Sequence, residues 1–125
     1  MTKKKLFILD SGNTKIGLFF KKYEGELDVK ETIDPIWLRG NGKLPRDYDT
    51  YILHLSDINV KDLEDLRREQ PWSWIYGISG AGRAFLSDDL RVNFDRLFYL
   101  VTRFDAESIV EELRSYREEK GGRAQ

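Results

Sequence analysis

Three short apolar runs constrain this chain more than any other feature of its sequence. Leu6-Phe7-Ile8-Leu9 ends at Asp10, Trp74-Ile75-Tyr76-Gly77-Ile78 ends at Ser79, and Tyr51 to Leu55 carries His54 and leads into Ser56-Asp57. A run that is apolar at nearly every position, not at alternate ones, suits a strand buried on both faces. Such strands belong to parallel sheets with helices on either side. Two further strands read as Leu27-Val29-Ile33, alternating with charges, and as Arg96 to Val101.

The segments between them carry helical signals. Ile16, Phe19, Phe20 and Tyr23 fall at i, i+3, i+4 and i+7, and Gly25 can stop that helix. The same stretch alternates as Ile16, Leu18, Phe20, so a strand is the competing reading. Asn59 is the expected N-cap of a helix from about Val60 to Glu69, with Leu63 and Leu66 inward. A short helix is expected over 83–90. In the last helix Asp105 is the expected cap, Ile109, Val110, Leu113 and Tyr116 form the apolar stripe, and Gly121 ends it. Asp34 to Asp47, with Pro35, Gly40, Gly42 and Pro45, reads as loop. Strands alternating with helices give an α/β domain, expected over residues 1–121 with a tail at 122–125.

Composition removes several function classes. The 125 residues hold no cysteine and a single histidine, which excludes disulfides, thiolate zinc sites, cysteine nucleophiles and two-histidine metal motifs. A net charge of −1 gives no general attraction to nucleic acid, so no nucleic-acid partner is expected. The apolar run after Lys3, Lys4 and Lys5 is too short for a signal peptide, and no stretch is long enough to span a membrane. A cytoplasmic location without membrane attachment is the expectation.

In an open parallel sheet, chemistry gathers outside the carboxyl ends of the strands. The residues delivered there are Asp10, His54, Ser79 and Thr102, separated by 44, 25 and 23 positions. With these residues in view, the chain resembles the receiver domain of response regulators over nearly its whole length. Asp49-Thr50-Tyr51-Ile52-Leu53-His54-Leu55 resembles the apolar run that ends in the phosphoacceptor aspartate, here His54. Ile75-Tyr76-Gly77-Ile78-Ser79-Gly80 resembles the fourth strand, whose terminal hydroxyl contacts the phosphoryl group. Leu100-Val101-Thr102-Arg103-Phe104-Asp105 resembles the run before the last helix, with Thr102 in place of lysine and Arg103 in place of proline. Leu9-Asp10-Ser11 resembles the paired acids that hold magnesium, with only Asp10 retained.

The resemblance implies a single-domain flavodoxin-like (CheY-like) α/β three-layer sandwich, with a five-stranded parallel sheet of order 2-1-3-4-5. It also implies that Asp10, Ser11, His54, Ser79 and Thr102 are vestiges of a phosphoacceptor site. Acyl-phosphate chemistry needs a carboxylate nucleophile, several oxygen ligands for magnesium and a cation for the phosphoryl oxygens. With those roles emptied, the expectation is a pseudo-receiver that is not an enzyme, holds no metal or cofactor, and acts by binding a protein partner or as a homodimer. The usual docking surface of receivers would place Arg96, Tyr99, Arg103, Glu107 and Arg114 at the contact. His54 reads either as a pH-sensitive switch or as a neutral side chain bonded to Asp10 or Ser79. Asp10 is expected to cap the following helix. Without proline, the Thr102-Arg103 bond should be trans. Trp37, Trp72 and Trp74 suit core or loop anchoring as well as a binding surface.

Two other resemblances lead to different functions. Ser11-Gly12-Asn13-Thr14 resembles the phosphate loop of flavodoxins, which would cradle FMN. Asp10-Ser11-Gly12-Asn13-Thr14 also resembles the first phosphate motif of acetate- and sugar-kinase-like enzymes, including type III pantothenate kinases. That reading requires residues 15–33 to form a hairpin.

Overall fold

The computed structural model describes residues 3–12, 15–34, 42–79 and 91–120. The expected helix at 83–90, together with Asn13, Thr14, Trp37, Gly80, Gly121 and the side chain of Tyr116, lies outside the described residues. Five strands form one sheet in the order β2-β1-β3-β4-β5. They are β1 (Lys4–Leu9), β2 (Leu27–Thr32), β3 (Thr50–His54), β4 (Trp74–Ile78) and β5 (Arg96–Phe98). All four pairings are parallel. β1 lies between β2 and β3, with Leu9 opposite Thr32 on one side and Leu53 on the other.

The alternation of side chains across the sheet builds two cores. Leu6, Ile8, Ile52, Tyr76 and Ile78 face a layer made by Ile16 and Phe20 and by Ala106, Ile109, Val110 and Leu113. The first two belong to a 3-10 helix, η1 (Ile16–Tyr23), and the others to a long helix whose bounds are Arg103–Lys120. Phe7, Leu9, Tyr51, Leu53 and Ile75 face the other way, onto Leu63 and Leu66 of helix α1 (Val60–Glu69) and onto Leu44, Ile58 and Phe94. The long helix is called α2. Asn59 caps α1 as expected, its side chain accepting from Lys61 N–H at 2.9 Å.

Several local expectations are corrected. Residues 16–23 are helical, so the hairpin that the kinase-like reading requires does not form. They adopt 3-10 and not α geometry, and Gly17 N–H donates to Glu31 Oε2 of β2 at 3.0 Å. β2 stops at Thr32 and leaves Ile33 exposed. β5 stops at Phe98, because β4 offers pairing positions only as far as Ile78. Helix α2 begins two residues before Asp105. Thr102 and Asp105 cap each other: Thr102 N–H donates to Asp105 Oδ2 at 2.8 Å, and Asp105 N–H donates to Thr102 Oγ1 at 3.2 Å. No peptide bond among the described residues is cis, as expected for Thr102-Arg103.

Polar staples hold the irregular connections. Arg46 bonds Asp62, Glu69 and the Leu44 carbonyl, while the buried Asp62 also accepts from Leu44 N–H. Arg67 reaches Asp95 at 2.8 Å and the carbonyls of Asn93 and Ser73. Gln70 joins the Tyr51 hydroxyl to Ser73 Oγ, and Tyr51 donates to the Pro45 carbonyl.

Two predictions follow from this packing. A Cβ on Gly77 would stand 2.7 Å from Leu97 Cδ2 and 2.9 Å from the Phe94 ring, whereas one on Gly25 meets nothing within 4 Å. Gly77→Ala should therefore destabilise the fold by about 1–3 kcal/mol in urea unfolding, with Gly25→Ala close to neutral. Burial pushes the Tyr51 phenol up from 10.0 to about 12. A raised phenol pKa stabilises the fold below the unfolded value and loses that contribution as pH climbs through the folded one. Resistance to urea should thus fall between pH 10 and pH 12, and Tyr51→Phe should be less sensitive across that window.

Candidate functional site

The carboxyl ends of β1 and β3 lie side by side because Leu9 pairs with Leu53. Asp10 and Ser11 follow the first strand and His54 closes the second. The chain then turns through a short 3-10 segment, η2 (Leu55–Asp57), which carries Asp57 back towards β1. One ligand-capable atom from each of Asp10, His54 and Asp57 falls within 4.8 Å of the others. Both aspartates are almost fully buried, at 4% and 2% exposure, while His54 is half-buried.

Asp57 is the residue that sequence reasoning missed. Its Oδ2 accepts from Ser11 N–H at 2.7 Å and its Oδ1 accepts from the Ser11 hydroxyl at 2.7 Å. This two-pronged bond closes a loop between positions 46 apart in sequence. Asp10 does not cap a helix: its Oδ1 accepts from Gly12 N–H at 2.9 Å within a tight turn. His54 bonds neither Asp10 nor Ser79. Its Nδ1 accepts from Ser56 N–H at 3.2 Å and lies 2.7 Å from the Ser56 hydroxyl.

The other two positions face elsewhere. Ser79 is buried at the end of β4, where its N–H donates to the Phe98 carbonyl at 3.0 Å and its hydroxyl reaches the same oxygen at 3.4 Å. Thr102 is exposed and committed to the α2 cap through Asp105. The crevice thus gathers Asp10, Ser11, His54 and Asp57.

The five expected contact residues divide between two flanks of α2. On the β5 side, Arg96 donates to Glu112 at 2.7 Å and to the Ser108 hydroxyl at 2.8 Å, and the Tyr76 hydroxyl also reaches Glu112. On the η1 side, Glu107 pairs with Lys22 at 3.1 Å, and Arg114 pairs with Glu26 at 2.6 Å and with Glu111. The Arg114 guanidinium holds the Glu26 carboxyl below its usual range, and Glu107 raises the Lys22 ammonium. Tyr99 and Arg103 belong to neither set of pairings; both are exposed, as are their neighbours Leu100 and Phe104, with Phe104 73% and Tyr99 57% exposed. Trp74 is buried and stacks on Tyr76 at 6.2 Å, which makes it a core residue; Trp72 is half-buried.

Clefts of about 170 Å³, against Leu27, Val110 and Arg114, and of about 370 Å³, against Phe20, Leu27 and Val29, both lie beside β2. Neither is lined by Asp10, His54 or Asp57. No helix among the described residues is long and apolar enough to cross a membrane.

No family model and no curated protein matches this sequence. Solved structures do match its fold. A CheY-like response regulator receiver domain from Methanospirillum hungatei JF-1 superposes with a TM-score of 0.66 at 17% identity, covering 94% of this chain and 99% of that one. A response regulator receiver domain from Clostridium thermocellum gives 0.64 at 12% identity, covering 92% and 97%. The signal receiver domain of a putative Luxo repressor protein from Vibrio parahaemolyticus gives 0.64 at 12% identity, covering 99% and 100%. With the 2-1-3-4-5 parallel sheet, these establish a receiver-type, CheY-like fold.

Ser11 supplies both donors to a buried carboxylate. Ser11→Ala removes the hydroxyl donor and should lower the unfolding free energy by about 1–3 kcal/mol in urea melts.

Proposed function

We propose that this chain, built on the receiver fold, is a signalling module that acts through protein contacts and is independent of phosphoryl transfer. The observation that carries the reading is the state of the carboxylate at the crevice. His54 closes β3, and both oxygens of its acidic neighbour Asp57 already accept from Ser11 while the side chain is 2% exposed. An imidazole cannot form an acyl phosphate. A carboxylate bonded through both oxygens and shut from solvent is a poor nucleophile. Thr102, at the position where the resemblance implies a lysine, is turned into the helix cap and brings no cation.

The magnesium that the resemblance implies fits these residues badly. Magnesium favours an all-oxygen octahedral shell, whereas this donor set includes an imidazole and replaces the second acid after β1 with Ser11. The contact surface in this reading is the corner between β5 and α2, where Tyr99, Leu100 and Phe104 expose apolar area next to Arg96 and Arg103. Exposed aromatics flanked by arginines favour protein binding.

Incubation with acetyl phosphate and Mg²⁺ should leave the intact mass unchanged; a hydroxylamine-labile phosphoryl adduct would overturn the reading. Sedimentation velocity tests the surface. The chain should self-associate with rising concentration, and Leu100→Asp with Phe104→Asp should return it to monomer without altering its circular dichroism. A wild-type chain that stays monomeric at all concentrations removes the homodimer and leaves a different protein as the partner.

A further inference from the structure

The geometry points to a divalent-cation site made of Asp10, His54 and Asp57 that takes a zinc-class metal in preference to magnesium. It goes beyond the protein-contact reading and does not depend on it. Three ligands, two carboxylates and an imidazole, converge from three places in the chain: just past the end of β1, the last residue of β3, and the η2 turn. Their ligand atoms lie within 4.8 Å of one another. In a tetrahedral site, ligand atoms about 2.0–2.2 Å from the metal stand roughly 3.4 Å apart. The cluster therefore has to close by no more than about 1.5 Å.

The surrounding hydrogen bonds suit this role. Ser11 fixes both oxygens of Asp57, and Gly12 N–H fixes one oxygen of Asp10, so the carboxylates are oriented by neighbours as metal ligands commonly are. Each oxygen retains acceptor capacity beyond one hydrogen bond. Ser56 bonds His54 Nδ1, so the proposal assigns the metal to Nε2. A metal at Nε2 would require the ring proton on Nδ1, where the Ser56 hydroxyl, 2.7 Å away, could accept it in place of the contact from Ser56 N–H.

Charge supplies a further reason. Asp57 is buried, and no ion pair among the described residues includes it. A dication beside it and Asp10 would offset the cost of keeping two carboxylates out of water. Imidazole is what separates the candidate metals. It is a good ligand for zinc, copper and nickel, whereas magnesium prefers oxygen and keeps its waters. Three protein ligands also leave a coordination position for solvent, on the side where His54 is open.

The sequence makes the test clean. His54 is the only histidine and there is no cysteine, so in a tag-free chain every imidazole-ligated zinc must use this residue. ZnCl2, MnCl2 and MgCl2 are titrated separately by calorimetry while the single imidazole is followed by NMR. The expected result is one Zn²⁺ per chain, bound at least about tenfold more tightly than Mg²⁺, with the His54 ring signals shifting in step with saturation. His54→Ala and His54→Gln should each lower zinc affinity by about tenfold or more, and Asp57→Asn should do the same, with circular dichroism confirming the fold. His54 lies at the half-buried end of its strand, so its variants remain informative if Asp57→Asn fails to fold. Absence of saturable one-to-one zinc binding at millimolar concentration, unmoved imidazole signals, or full zinc affinity in both His54 variants would each overturn the proposal.

Discussion

The crevice depends on β1 being paired on both edges and buried on both faces. Leu6, Phe7, Ile8 and Leu9 are all essentially inaccessible, two of them facing the η1 and α2 layer and two facing α1. A strand held this way cannot slip, because moving its register by one residue would exchange the side chains of the two cores. Asp10 and Ser11 therefore emerge at a fixed height beside His54. The bond between Ser11 and Asp57 then follows from a short turn after β3 and not from any regular element.

The runs that had to be buried on both sides were legible in the sequence. β1, β3 and β4 were readable within a residue or two because nearly every position in them is apolar. Asn59 was readable as a cap because the requirement is local. Features set by tertiary pairing were not. Nothing local distinguishes 3-10 from α geometry at residues 16–23, where Gly17 N–H is bonded by the Glu31 side chain from β2. The end of β5 depends on where β4 stops offering partners. Asp57 stands two residues beyond the motif that resembles the phosphoacceptor strand, in a stretch with the composition of an ordinary helix lead-in. A signal was present: an acid flanked by Ser56 and Ile58, next to a strand end, is a residue that a turn can fold back into the crevice.

Charge periodicity on the last helix was similarly ambiguous. Arg103, Glu107 and Arg114 share one helical stripe, which suggests a single face. Lys22 and Glu26 tie Glu107 and Arg114 to η1 and the turn after it, while Arg103 lies over the Phe104 ring. Ser108 and Glu112, which carried no special mark in the sequence, take up the β5 side with Arg96. These exposed pairs orient α2 more than they stabilise it, since surface ion pairs contribute little net energy. The binding of the helix comes from Ala106, Ile109, Val110 and Leu113.

The energetics of the fold and the chemistry of the crevice are therefore separable. The two apolar layers contain none of Asp10, Ser11, His54 or Thr102, so those residues act on the fold through local hydrogen bonds and not through the core. The replacements are not idle in the structure. Ser11 satisfies a buried carboxylate, Thr102 caps α2, and His54 anchors the first turn of η2 through Ser56. Each side chain that departs from the receiver pattern has acquired a local bonding role. A lysine at 102 would lose the reciprocal cap, an acid at 11 would face Asp57 as a like charge, and an aspartate at 54 would add a third carboxylate to a crevice already holding two. Each of these single exchanges would therefore weaken the local structure. In physical terms, this arrangement of the crevice is self-consistent as it stands.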